Sequence, residues 1–138
     1  VDITKLIKLK NFLRKKGNKL FIANNFKLAL KLGLDGAYIP SFNKEFYHLA
    51  YSTSVNFEII GSAHNLKEIR NKELQKVQKI FISSLFKKNK NYLGLNKFKI
   101  LKKFTKKEVI ALGGISSRNI KKIYLAKISS IAGISYFK

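Results

Sequence analysis

The chain has 138 residues, 46% of them hydrophobic, which suits one globular domain with its own core and leaves too little for a second. Zero cysteines exclude disulfides, thiolate zinc sites and cysteine nucleophiles, and two histidines, His48 and His64, show no metal-ligand spacing, so any metal must be held mainly by oxygen. The formal charge of +22, from 29 Lys+Arg against 7 Asp+Glu, favours anionic ligands, but three arginines (Arg14, Arg70, Arg118) are few for a reader of nucleic acid. Lysine is over-used together with asparagine, isoleucine and phenylalanine, a compositional bias that accounts for much of the charge and implies at most non-specific attraction to nucleic acid. No apolar run approaches the ~20 residues of a membrane span, and the N-terminus lacks signal-peptide order, so the chain reads as soluble and cytoplasmic.

In chain order, Leu6, Leu9 and Leu13 share one face of an opening helix. The first candidate strand is Lys19 to Asn24, and the second, Gly36 to Pro40, ends at the single proline. His48 falls on a predicted helix without a visible partner. Phe57 to Gly61 is the third strand, followed by Asn65 as cap of a helix carrying Leu66 and Ile69, with Glu68 at the capping-box position. Lys79 to Ser83 is the fourth. Phe86 to Asn96, rich in lysine and asparagine, has no period and reads as a long loop. Glu108 to Leu112 and Ser130 to Ser135 complete the set. Each interval leaves room for a crossover helix, and several strands are continuous apolar runs, so the expectation is a parallel sheet covered on both faces. Periodicity alone leaves an open doubly wound sheet and most of an eight-stranded barrel both available.

Between the fifth strand and an amphipathic stretch through Asn119, Ile120 and Ile123 stands Gly113-Gly114-Ile115, capped by Ser116-Ser117. Glycines at such a turn let backbone N–H groups approach an oxyanion without Cβ interference, and a helix behind them would present its positive end. The same glycines also serve a turn with no ligand.

Longer strings carry more information: Leu20-Phe21-Ile22-Ala23-Asn24-Asn25, Leu32-Gly33-Leu34-Asp35-Gly36-Ala37-Tyr38-Ile39, Ile59-Ile60-Gly61-Ser62-Ala63-His64-Asn65, Phe81-Ile82-Ser83-Ser84, Leu93-Gly94-Leu95 and Val109 to Ile115. In sequence and order they resemble the strand-end motifs of the thiamine-phosphate synthase family. The resemblance implies an α/β fold, an incomplete (β/α)8 TIM barrel with about six of eight strands. The chain would open in the second helix, with about 45 to 60 residues of a usual barrel outside it. Two unpaired sheet edges would then make the 138 residues poorly stable alone and prone to homo-oligomerise.

The resemblance also implies a reaction, the coupling of an aminopyrimidine methyl diphosphate with a thiazole phosphate and release of pyrophosphate. Negative charge grows on the leaving diphosphate, which Mg²⁺ and lysines would stabilise. Ser62 falls on the serine that meets the diphosphate. Gly114, with Gly113, falls on the glycine at the thiazole phosphate, and Ile134-Ser135 on the pair that completes that cradle. Lys90 is the choice for the loop lysine, with Lys87 and Lys88 as competitors, so Ser62 and Lys90 are the catalytic candidates. The family's two magnesium aspartates fall on Asn24 and Asn43, where both charges are gone. Either the three lysines take over part of the metal's role or synthase activity has been lost. A neighbouring tautomerase branch uses a histidine where Ser84 stands, which disfavours that isomerisation, and His64 reads as structural. The rival outside enzymes is a noncatalytic barrel remnant that binds phosphorylated ligands or nucleic acid.

Overall fold

The computed structural model describes residues 2–133. Strands β1 (Phe21–Ala23), β2 (Gly36–Ile39), β3 (Glu58–Ala63), β4 (Lys79–Ile82), β5 (Glu108–Leu112) and β6 (Ile131–Ala132) form one sheet in the order β1-β2-β3-β4-β5-β6, each neighbouring pair parallel. A doubly wound sheet reverses strand order at a switch point; this sheet never does, and its consecutive order is that of a βα barrel. Helices α1 (Ile3–Lys15), α2 (Phe26–Lys31), α3 (Leu66–Leu74), α4 (Gly94–Lys103) and α5 (Ile120–Leu125) occupy the connections. The exception is β2 to β3, where a crossover helix was expected and only a 3-10 turn, Tyr47–Ala50, forms. Ser52-Thr53-Ser54-Val55 beside it offers hydroxyls and β-branches that compete with helix.

Alternation along the strands divides the side chains. Ala37, Ile39, Ile59, Ile80, Ile82 and Ala111 point outward and are buried with Phe26, Ala29, Ile69, Phe98 and Ile123 from the helices. Each fully buried isoleucine of this set contributes about 1.5–3 kcal/mol. The opposite, concave face carries Phe21, Ala23, Tyr38, Ile60, Phe81 and Leu112 around an apolar bowl of about 380 Å³. At the N-terminal strand ends the same face is charged. Glu58 receives Lys19 and Lys79, the latter at 3.2 Å, and Lys79 reaches Glu108 at 4.0 Å. The hydrogen bond from Lys19, opposed by partial burial and helped by Lys79, holds the Glu58 carboxyl below its ordinary range.

Asn65 caps α3 as the sequence predicts, accepting from the Glu68 N–H at 2.9 Å. The Glu68 carboxylate turns instead to His64, taking its backbone N–H at 2.7 Å and standing 3.0 Å from Nδ1. His48, expected to lack a partner, has two. Its ring stacks on Phe26 at 4.6 Å between centroids, and Nε2 lies 2.7 Å from the Gln75 carbonyl oxygen. Phe86 to Asn96 is shorter as a loop than expected, because α4 already begins at Gly94.

Lys72 on α3 is fully buried, its stem lying over Gly61, where an added Cβ would meet Lys72 Cδ at 2.6 Å. Its ammonium donates to the Asn43 carbonyl at 2.9 Å and to Gln75 Oε1 at 2.8 Å, and Gln75 Nε2 donates to the Asn43 and Glu45 carbonyls, each at 2.9 Å. These bonds fasten the loop after β2 to α3. Burial lowers the Lys72 pKa from 10.5 to about 8, with Glu68 opposing the shift. Between those values the unfolded chain binds more protons than the folded one, so the burial cost is full below about pH 8 and disappears by pH 10.5. We expect Lys72→Met to lack this rise. Urea unfolding of both proteins across that window checks it, and parallel stability–pH curves would contradict the assignment.

Candidate functional site

At the C-terminal end of β5 the chain turns through Gly113 (φ +114°) and Gly114 (φ +72°), in backbone conformations that side chains rarely adopt. The Gly113 carbonyl accepts two backbone N–H groups from the loop after β4, Phe86 at 2.8 Å and Lys87 at 3.2 Å, and the Leu112 carbonyl accepts Leu85 at 3.0 Å. That loop leaves no space. A Cβ on Gly113 would stand 2.6 Å from Ser84 Oγ, and one on Gly114 2.7 Å from Lys87 N. Buried Ser84 organises the loop from within. Its N–H donates to Asn91 O at 3.0 Å, its carbonyl accepts Leu93 N at 2.8 Å, and Oγ donates to Lys87 O at 2.8 Å. The position where the tautomerase branch has histidine thus holds a structural serine.

Asn119 fixes the far side of the turn. Its Nδ2 donates to Gly114 O at 2.8 Å and its Oδ1 accepts Ser116 N at 2.9 Å. Helix α5 starts only at Ile120, so the expected positive helix end directly behind the glycines is absent; residues 116–119 form a turn there because Asn119 bonds backward instead of continuing the helix. Among the described residues, the N–H groups of Gly114 and Ile115 have no acceptor. They adjoin an open cleft of about 470 Å³ lined by Ser84, Lys87, Asn89, Gly113, Gly114 and Gly133. Of the three loop lysines, Lys87 lines this cleft, whereas Lys88 and Lys90 are exposed residues outside the lining. Ile134 and Ser135 lie outside the described residues.

Ser62 is buried within β3 on the concave face, one strand over from Tyr38, whose hydroxyl donates to Ser62 Oγ at 2.7 Å. Tyr38 also meets Phe81 edge-on at 6.3 Å, so the serine hydroxyl sits at the polar rim of the apolar bowl. Neither Tyr38 nor Asn119 stood out in the sequence. The alternation Gly36, Tyr38 opposite Glu58, Ile60 would have put Tyr38 inward, but nothing local signals the backward bonds of Asn119.

Asn24 and Asn43 meet beyond β1 and β2. Asn43 Nδ2 donates to Asn24 Oδ1 at 2.6 Å, and Asn43 Oδ1 accepts the Glu45 N–H at 2.8 Å. They line a separate pocket of about 160 Å³ with Asn25, Lys27, Glu45 and Tyr47. No group of three or more His, Cys, Asp or Glu side chains that could hold a metal occurs among the described residues.

A parallel sheet in consecutive strand order, with its open cleft at the C-terminal strand ends, defines the class, a βα-barrel protein. Residues 3–137 match the sequence model of the family described as Thiamine monophosphate synthase, and the chain belongs to that family. It is 32% identical over 143 residues to a protein of Aquifex aeolicus named "Putative thiamine-phosphate synthase 2", covering 99% of this chain and 75% of that protein. A thiamine-phosphate synthase of Methanococcus vannielii is 33% identical over 82 residues, 56% of this chain and 40% of that one. The fold is similar to thiamine phosphate pyrophosphorylase from Pyrococcus furiosus, with a TM-score of 0.75, 18% identity, 97% of this chain covered and 67% of that one. Membership places the chain among the transferases of thiamine biosynthesis.

Because both the positive φ and the seated loop exclude a side chain, Gly113→Ala should destabilise the protein by more than about 1 kcal/mol, read as a lower urea midpoint. An unchanged midpoint would mean that the loop is not held against the turn.

Proposed function

We propose that the Gly113–Gly114 cleft binds the thiazole phosphate, and that the aminopyrimidine lies across the apolar bowl with its diphosphate toward Ser62. The observation that carries this reading is the meeting, at one cleft beside an apolar bowl, of Lys87 and two N–H groups without an acceptor among the described residues, in a chain of this family. A phosphate dianion suits both donors: backbone N–H groups give directed hydrogen bonds without reorganising, and an ammonium adds charge. Tyr38 and Phe81 offer ring faces and edges to a heterocycle.

In the coupling, the bond from the pyrimidine methylene to the diphosphate oxygen breaks and its electron pair leaves with the diphosphate. The thiazole nitrogen donates its lone pair to the methylene carbon, forming the carbon–nitrogen bond and a thiazolium. The chain's own contribution is to hold the two rings in line and to stabilise the departing anion. Ser62 serves the second role. Its Oγ already accepts from Tyr38, which leaves the serine hydrogen free to be donated to the leaving group.

Calorimetric titration with thiazole phosphate tests the cradle. We expect saturable binding that Lys87→Ala weakens about tenfold, the worth of one charge-assisted hydrogen bond, while Lys90→Ala changes it little. Equal losses in both variants would reduce the lysines to a diffuse field, and no binding at all would remove the proposed site.

A further inference from the structure

We infer that the Asn24–Asn43 pair closes the family's metal position with a direct amide–amide hydrogen bond, so that this end of the site receives its phosphorylated ligand without a divalent cation. The proposal rests on the reading above only for the identity of that ligand.

The amide orientations follow from the surroundings. Glu45 N–H can only donate, so the Asn43 atom 2.8 Å from it is the oxygen; the other Asn43 atom is then the NH₂, and the Asn24 atom 2.6 Å from it must be oxygen too. Each side-chain carbonyl oxygen that could coordinate a hard cation therefore already accepts one hydrogen bond, which an entering cation would have to share or displace. Two carboxylates at the same separation would repel each other and require a cation between them, whereas two amides satisfy one another. The pair is held together without metal.

The charge beneath it acts in the same direction. Lys72 places a buried ammonium 2.9 Å from the backbone carbonyl oxygen of Asn43, and Lys27 lines the pocket beside the pair, with Glu45 as the carboxylate on its wall. A divalent cation entering here would be repelled by Lys72 and Lys27 and would find two neutral amides and the single carboxylate of Glu45 in place of a pair of carboxylates. Where the resemblance implies a metal-bridged pair of aspartates, the two asparagines here make a hydrogen-bonded contact.

The test is Mn²⁺ titration followed by the free-ion EPR signal, together with thermal unfolding, on the protein and on Asn24→Asp/Asn43→Asp. We expect no saturable Mn²⁺ binding at the pair in the unaltered protein, with an unfolding midpoint that Mn²⁺ does not raise. The double variant should unfold lower in EDTA and recover with Mn²⁺, binding the ion at least about tenfold more tightly. Saturable Mn²⁺ binding by the unaltered protein that Asn24→Ala abolishes would overturn the inference; binding that Asn24→Ala leaves intact lies elsewhere and upholds it. If the double variant does not fold, the titration of the unaltered protein and Asn24→Ala decides alone. Inorganic pyrophosphate should bind in EDTA. Binding only with Mg²⁺ present would overturn the cation-free claim, and absence of binding under both conditions would count against the proposed function while the Mn²⁺ result stands.

Discussion

One carbonyl oxygen sets the geometry at the C-terminal end of the sheet. Gly113 O receives the N–H groups of Phe86 and Lys87, and that pair of bonds seats the loop after β4 on the turn after β5. Neither glycine could carry a Cβ without displacing the loop. Seating the loop fixes Ser84 inside it and the Lys87 backbone at the cleft edge, so this lysine projects from a fixed point of the chain. Preorganisation of this kind lowers the ordering cost of binding, because the loop's backbone is already bonded before a ligand arrives.

The two ends of the sheet use charge differently. At the N-terminal strand ends Glu58 and Glu108 meet Lys19 and Lys79 in a partly exposed ion-pair network that links neighbouring strands. At the C-terminal ends the polar groups are asparagines, serines, N–H donors and lysines, with Glu45 near the Asn24–Asn43 pocket. Several of the seven acidic residues are thereby committed to structure, including Glu68 at His64 and Asp35 at the Leu20 N–H. Most of the excess positive charge is left unpaired by these contacts.

The parallel sheet was legible because strands buried on both faces are written as apolar runs, Ile80 to Ile82 and Val109 to Leu112 being the clearest. The consecutive strand order was legible only through the family resemblance, since spacing cannot distinguish neighbours in a barrel from neighbours in an open sheet. Asn65 was legible as a cap because capping is local in sequence. What stayed hidden was non-local: the partners of His48 come from Phe26 and Gln75, and Lys72 is buried because it reaches the Asn43 carbonyl 29 positions away. Within the candidate site, Gly113, Gly114 and Ser62 could be named from motifs. That Lys87 lines the cleft and Lys90 does not could be seen only from the backbone bonds that hold Lys87 at the turn.

The central claim is that the turn after β5, with its seated loop, is the phosphate site. Titration of ¹⁵N-labelled protein with thiazole phosphate, followed amide by amide, tests it most directly. The account predicts saturating shifts of the Gly114, Ile115 and Lys87 amides with a common affinity, and little change at Asn24 and Asn25. Shifts confined to Asn24, Asn25 and Lys27, with the glycine turn silent, would contradict it.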